Sequence, residues 1–130
     1  MKTKKYIYME FKVKKMAYQI TLVEDEYGIA DAVLLNLELE SYVVQHIDNG
    51  RKAIDQLTTL AQSDLVILDV MLPKMDGITI CKELRKISNV PVLFLSAKGT
   101  STDRIEGLKS GGTDYLPKPF ELEELLLRIQ

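Results

Sequence analysis

At 130 residues, 46% hydrophobic and 28% charged, the sequence has the length and balance of one soluble globular domain, not of a disordered or fibrous chain. A single cysteine, Cys81, and a single histidine, His46, exclude an internal disulfide and leave no Cys/His cluster for zinc. The net charge of −2 divides into +5 over residues 1–15, where six lysines face Glu10, and −7 over the remainder, which argues against phosphate-backbone binding by the body of the domain.

Residues 1–16 form a lysine-rich leader in which Ile7, Met9, Phe11 and Val13 alternate with Tyr8, Glu10 and Lys12, a strand-like period of two. An early start codon, an added sequence or a genuine edge extension would each account for it. The domain proper is expected over residues 17–130. The N-terminus has no apolar core of a secretory signal and no run nears the roughly 18 apolar residues of a membrane span, so a cytoplasmic location without membrane contact is expected.

Short apolar runs at Ile20 to Val23, Val43 to Ile47, Leu65 to Leu68 and Val92 to Leu95 predict strands, with a weaker fifth at Asp114 to Leu116. Helical spacing falls between and after them, at Asp31 to Glu40, Arg51 to Leu60, Ile78 to Ile87, Thr102 to Lys109 and Glu121 to Ile129. Strands apolar on both faces and joined by helices require a parallel sheet covered on each side. Right-handed crossovers make that an α/β, doubly wound, five-stranded sheet.

Ligands of such sheets bind at the carboxyl ends of the strands. There the first strand ends in Glu24-Asp25-Glu26, the third in Asp69, the fourth in Ser96, and the fifth runs into Lys118-Pro119. Glu24, Asp25 and Asp69 on one rim repel unless protons or a cation intervene, and Mg²⁺ suits a site of few carboxylates that keeps room for water and phosphate oxygens. A lone acid at a strand end is usually just solvated or caps the next helix. Three acids with a lysine and a serine at matching ends call for more than that.

These residues stand in four motifs: Val23-Glu24-Asp25-Glu26; Leu68-Asp69-Val70-Met71-Leu72-Pro73-Lys74-Met75-Asp76-Gly77; Leu95-Ser96-Ala97; and Asp114-Tyr115-Leu116-Pro117-Lys118-Pro119-Phe120. In that order the sequence resembles a response-regulator receiver domain of two-component signalling, most like those of the winged-helix DNA-binding (OmpR/PhoB-like) subfamily. The resemblance implies a flavodoxin-like or CheY-like strand order 2-1-3-4-5. It implies Asp69 as phosphoacceptor from a partner histidine kinase, Lys118 and Ser96 as assisting groups, and Mg²⁺ held by Glu24, Asp25, Asp69 and the backbone carbonyl of Met71, with Glu24 reaching it through water.

It also implies a Ser96–Tyr115 switch, Met71 and Lys98 bordering the phosphoryl opening beside the small Ala97, and a cis Lys118–Pro119 bond. Homodimerisation on phosphorylation is expected through the stretch Gly107 to Arg128, with Lys109, Asp114, Glu123 or Glu124, and Arg128 as charge partners; Thr113 stands where an acid is common. Such a protein is a switch rather than an enzyme, although it catalyses its own Mg²⁺-dependent phosphorylation and dephosphorylation. DNA contact is expected only through a C-terminal effector domain absent from this chain.

Three rival readings are weaker. A haloacid-dehalogenase-type phosphatase needs a second acid two residues after its nucleophile, where this chain has Met71. A nucleotide-binding module needs a glycine-rich phosphate loop after the first strand, and none is present. An interaction-only receiver would not need the intact set of acids, serine and lysine. Cys81 and His46 read as structural or exposed residues without a catalytic role.

Overall fold

The computed structural model describes residues 18–73, 75–97 and 101–129, so the leader, Lys74 and Lys98 lie outside the described residues. Five strands, β1 (Gln19–Val23), β2 (Val43–Ile47), β3 (Leu65–Asp69), β4 (Val92–Ser96) and β5 (Asp114–Pro117), form one parallel sheet in the order β2-β1-β3-β4-β5. The helices are α1 (Tyr27–Leu39), α2 (Gly50–Asp55), α3 (Leu57–Gln62), α4 (Gly77–Arg85), α5 (Ser101–Lys109) and α6 (Leu122–Ile129). The doubly wound order expected from the sequence is the one observed.

Alternation along the central strands divides the core between the two faces. Val66 and Leu68 of β3 join Leu60, Ile80 and Leu84 on the face covered by α2, α3 and α4, while Ile67 joins Val33, Leu37 and Leu125 on the face covered by α1 and α6. Each such side chain taken fully from water contributes about 1.5–3 kcal/mol, which is why β3 and β4 read as apolar runs up to their last residue and β1 does so from Ile20 except at Thr21. Strand β2 departs from that pattern. It is an edge, and Val43 remains 55% exposed.

Most helix boundaries fall within two residues of the sequence expectation, and two helices depart further. The single helix expected over Arg51 to Leu60 is two short ones, because Gln56 leaves helical geometry (φ −121°, ψ 32°). The apolar spacing of Ala53, Leu57 and Leu60 continues through that break, since both pieces pack on one core. Helix α1 starts at Tyr27, four residues before the expected Asp31, because its first turn is mostly exposed and adds little to the apolar stripe formed by Ala30, Val33 and Leu37.

Helix α2 has a legible start, where the Asn49 side chain accepts the Lys52 N–H at 2.9 Å; the Asp76 carboxylate caps α4 in the same way through the Thr79 N–H. Among the described residues no helix is long and apolar enough to cross a membrane.

Candidate functional site

The parallel register carries the ends of β1, β3 and β4 to one rim, where Glu24, Asp69 and Ser96 are each at most 2% exposed. Side-chain oxygens of Glu24, Asp25 and Asp69 all lie within 4.8 Å of one another. The loop after β5 brings Lys118 to the same point, its Nζ 2.7 Å from Glu24 Oε1, 3.1 Å from Asp69 Oδ2 and 3.7 Å from Glu26 Oε1. The Lys118–Pro119 bond is cis, as expected. Every acid, the serine and the lysine singled out in the sequence therefore meet.

Backbone contacts fix these side chains. The Met71 N–H donates to Asp69 Oδ1 at 3.0 Å, the Lys118 N–H to the Ser96 carbonyl at 2.7 Å, and the Glu26 N–H to Glu24 Oε2 at 3.2 Å. The Met71 side chain is half exposed, and Ala97 is exposed. Gly77 lets α4 begin directly beneath Asp69, since a Cβ there would stand 2.3 Å from the Asp69 carbonyl oxygen.

Electrostatics indicate what the site can hold. Burial raises the Glu24 carboxyl to about 7, a shift that the Lys118 ammonium opposes and the neighbouring Asp69 reinforces. Burial alone would depress the Lys118 ammonium, but the Glu24 and Asp69 carboxylates outweigh it and hold it above the usual lysine value. Once Glu24 also ionises, above about pH 7, three carboxylates against one ammonium leave two negative charges in a largely buried pocket. Oxygen donors with that excess suit a hard divalent cation such as Mg²⁺, and the acids present fit one.

Tyr115 on β5 is 3% exposed and packs against Phe94, with ring centroids 6.1 Å apart. Burial pushes its phenol above the usual tyrosine value, and a side-chain hydrogen bond with Ser96 pulls the other way. The two residues expected to form a switch are thus in contact, with the tyrosine inward. Gly107 of α5 makes room for the ring, because a Cβ there would stand 3.0 Å from a Tyr115 ring carbon. Sequence reading passed over this glycine in mid-helix, where nothing local marks it.

Of the charged residues expected on the Gly107 to Arg128 stretch, Arg128, Asp114 and Glu124 pair within one chain. Arg128 Nη1 donates to both Asp114 oxygens at 2.8 and 2.9 Å, and Nη2 lies 3.6 Å from Glu124.

A family model described as the response regulator receiver domain matches residues 20–130. This chain belongs to the response-regulator receiver domain family. A receiver-bearing relative, the DNA-binding dual master transcriptional regulator RpaA of a Synechocystis strain, is 44% identical over 115 residues, covering 86% of this chain and 47% of that protein. The receiver domain of Francisella response regulator 1452 superposes with a TM-score of 0.80 at 35% identity, covering 86% of this chain and 93% of that one.

DrrB, a Thermotoga maritima OmpR/PhoB homologue, gives a TM-score of 0.78 at 30% identity, covering 88% of this receiver and 51% of that chain. The receiver spans about half the length of the curated relatives that it matches. Those relatives are transcriptional regulators.

Proposed function

We propose that Asp69 accepts a phosphoryl group from the phosphohistidine of a partner histidine kinase, and that the resulting acyl phosphate controls a transcriptional effector domain. The observation that carries this reading is the meeting of Asp69 with Glu24, Asp25 and the Lys118 ammonium in one pocket at the strand ends. Glu24, Asp25, Asp69 and the backbone carbonyl of Met71 would hold Mg²⁺, with Glu24 acting through water. Bound there, the ion supplies charge neutralisation for the transferring phosphoryl group.

The chain's own residues account for the rest. An Asp69 carboxylate oxygen forms the new bond to phosphorus as the phosphorus–nitrogen bond of the donor breaks, and the electron pair leaves with the imidazole. Lys118, 3.1 Å from Asp69 Oδ2, offers its ammonium to a phosphoryl oxygen. Ser96 turns its hydroxyl toward another such oxygen, and its contact with Tyr115 links that turn to the face formed by Gly107 to Arg128. Phosphorylation then favours a homodimer through that face, where Asp114 and Arg128 trade their pairing within one chain for pairing across two. DNA contact belongs to the effector domain.

Intact mass after incubation with acetyl phosphate tests the central step. A gain of one phosphoryl group that requires Mg²⁺ and is lost in Asp69→Asn is expected. No gain under conditions that modify another receiver would leave only an interaction domain.

A further inference from the structure

His46, at the end of edge strand β2, places Nε2 2.7 Å from the backbone carbonyl oxygen of Glu24. A carbonyl only accepts, so Nε2 carries the proton and donates it. The bonded peptide unit joins Glu24 to Asp25, two of the three acids of the pocket. Its orientation sets ψ of Glu24 and φ of Asp25, and so the direction in which the Asp25 carboxylate leaves the backbone.

Lys118 holds the Glu24 side chain, its Nζ 2.7 Å from Oε1, whereas His46 holds the backbone. The Glu24 N–H is given to the Ile47 carbonyl at 3.0 Å, but α1 begins at Tyr27 with Glu26 at its N-cap making no side-chain cap hydrogen bond. The imidazole is itself braced. Tyr27 meets it edge-on with centroids 5.9 Å apart and an interplanar angle of 87°, and the Tyr27 hydroxyl donates to Asp48 Oδ2 at 2.5 Å. Asp48 in turn takes Lys52 Nζ at 3.0 Å, anchoring the brace to α2.

We propose that His46 is a positioning residue for the acidic pocket, holding the Glu24–Asp25 peptide from β2 so that the carboxylates stand ready for a divalent cation. The proposal rests on the phosphoacceptor reading for the purpose of the pocket. It differs from the sequence reading of His46 as merely structural or exposed. Mg²⁺ tolerates little departure from octahedral geometry, and loss of a partner that orients ligands from outside typically costs 10- to 100-fold in affinity.

The test compares His46→Met with His46→Gln, side chains of similar reach of which only the second can donate. Calorimetric titration of the full chain with Mg²⁺ alone gives affinity, and acetyl phosphate turnover across Mg²⁺ concentrations gives the half-saturating level and the limiting rate. His46→Met is expected to weaken Mg²⁺ binding about ten-fold and to raise the half-saturating level by the same factor, with the limiting rate kept. His46→Gln should stay within about two-fold of wild type. If His46→Met does not fold, His46→Val repeats the donorless arm in a strand-forming residue.

Equal affinity in wild type and the donorless variant would overturn the proposal, as would a Gln variant as weak as Met. Both results leave the phosphoacceptor reading intact. Wild type that binds no Mg²⁺ and gains no phosphoryl group would overturn the two readings together.

Discussion

Two ion clusters in this receiver use the same chemistry, one cation facing an aspartate and a glutamate, at opposite levels of burial. In the first, Lys118 is 11% exposed against Glu24 at 0% and Asp69 at 3%; in the second, Arg128 is 36% exposed against Asp114 at 40% and Glu124 at 49%. Water screens the Arg128 cluster, so its pairs add little to stability. The Lys118 cluster has little water and one ammonium for several acids. On the proposed function, its negative excess is what a divalent cation would offset. Burial, not the identity of the residues, separates a site from a surface.

The largest test of that contrast is Lys118→Met in metal-free buffer. Stripping the cation from buried Glu24 and Asp69 is expected to cost about 3 kcal/mol, the low end for breaking a buried pair because Glu24 can take up a proton. Urea denaturation would read the loss, and millimolar Mg²⁺ should recover part of it by supplying positive charge.

The next effect is a pH dependence. Since burial lifts Glu24 to about 7 from an ordinary 4.5, its contribution to stability is fully present below about 4.5 and is lost as pH rises through about 7. In metal-free buffer, stability should therefore fall by roughly 3 kcal/mol across that window, at about 1.36 kcal/mol per unit. Glu24→Gln should flatten the curve. A wild-type curve already flat in chelator would mean that the pocket is better compensated than its geometry implies.

Both clusters were visible in the sequence, but to different depths. Asp69, Ser96 and Lys118 follow or end apolar runs, and the strand-end rule for doubly wound sheets places them together without coordinates. Burial of the Glu24 carboxylate was not legible, because its neighbours Asp25 and Glu26 are also acids and only the packing tells which one turns inward. His46 gave no signal, since one histidine in an edge strand is usually unremarkable and its partner is a backbone carbonyl 22 residues away in the chain. The break at Gln56 was hidden for the opposite reason: apolar spacing remained regular across it.

For the exposed cluster, Arg128→Met is expected to change stability by no more than about 1 kcal/mol, with or without Mg²⁺. A loss matching that of Lys118→Met would remove the contrast between the two. On the proposed dimerisation, the larger consequence of Arg128→Met should be weaker assembly, read by sedimentation of the acetyl phosphate-treated chain.

The smallest expected effect sharpens the comparison from a third place. Asp48 is a partly exposed carboxylate, and the Tyr27 hydroxyl first and the Lys52 ammonium second hold it down to about 2 from an ordinary 3.8. A depressed carboxyl contributes stability above its ordinary value and loses it as pH falls through about 2, the reverse of Glu24. Tyr27→Phe keeps the ring against His46 and removes only the hydroxyl, so the Asp48 midpoint, followed by carbon-detected NMR, should climb toward the ordinary value while that of Glu24 stays put. An unmoved Asp48 midpoint would assign the depression to Lys52 alone. Movement at both carboxyls would show that the brace on His46 reaches the buried pocket through the tyrosine hydroxyl, not merely through the face of its ring.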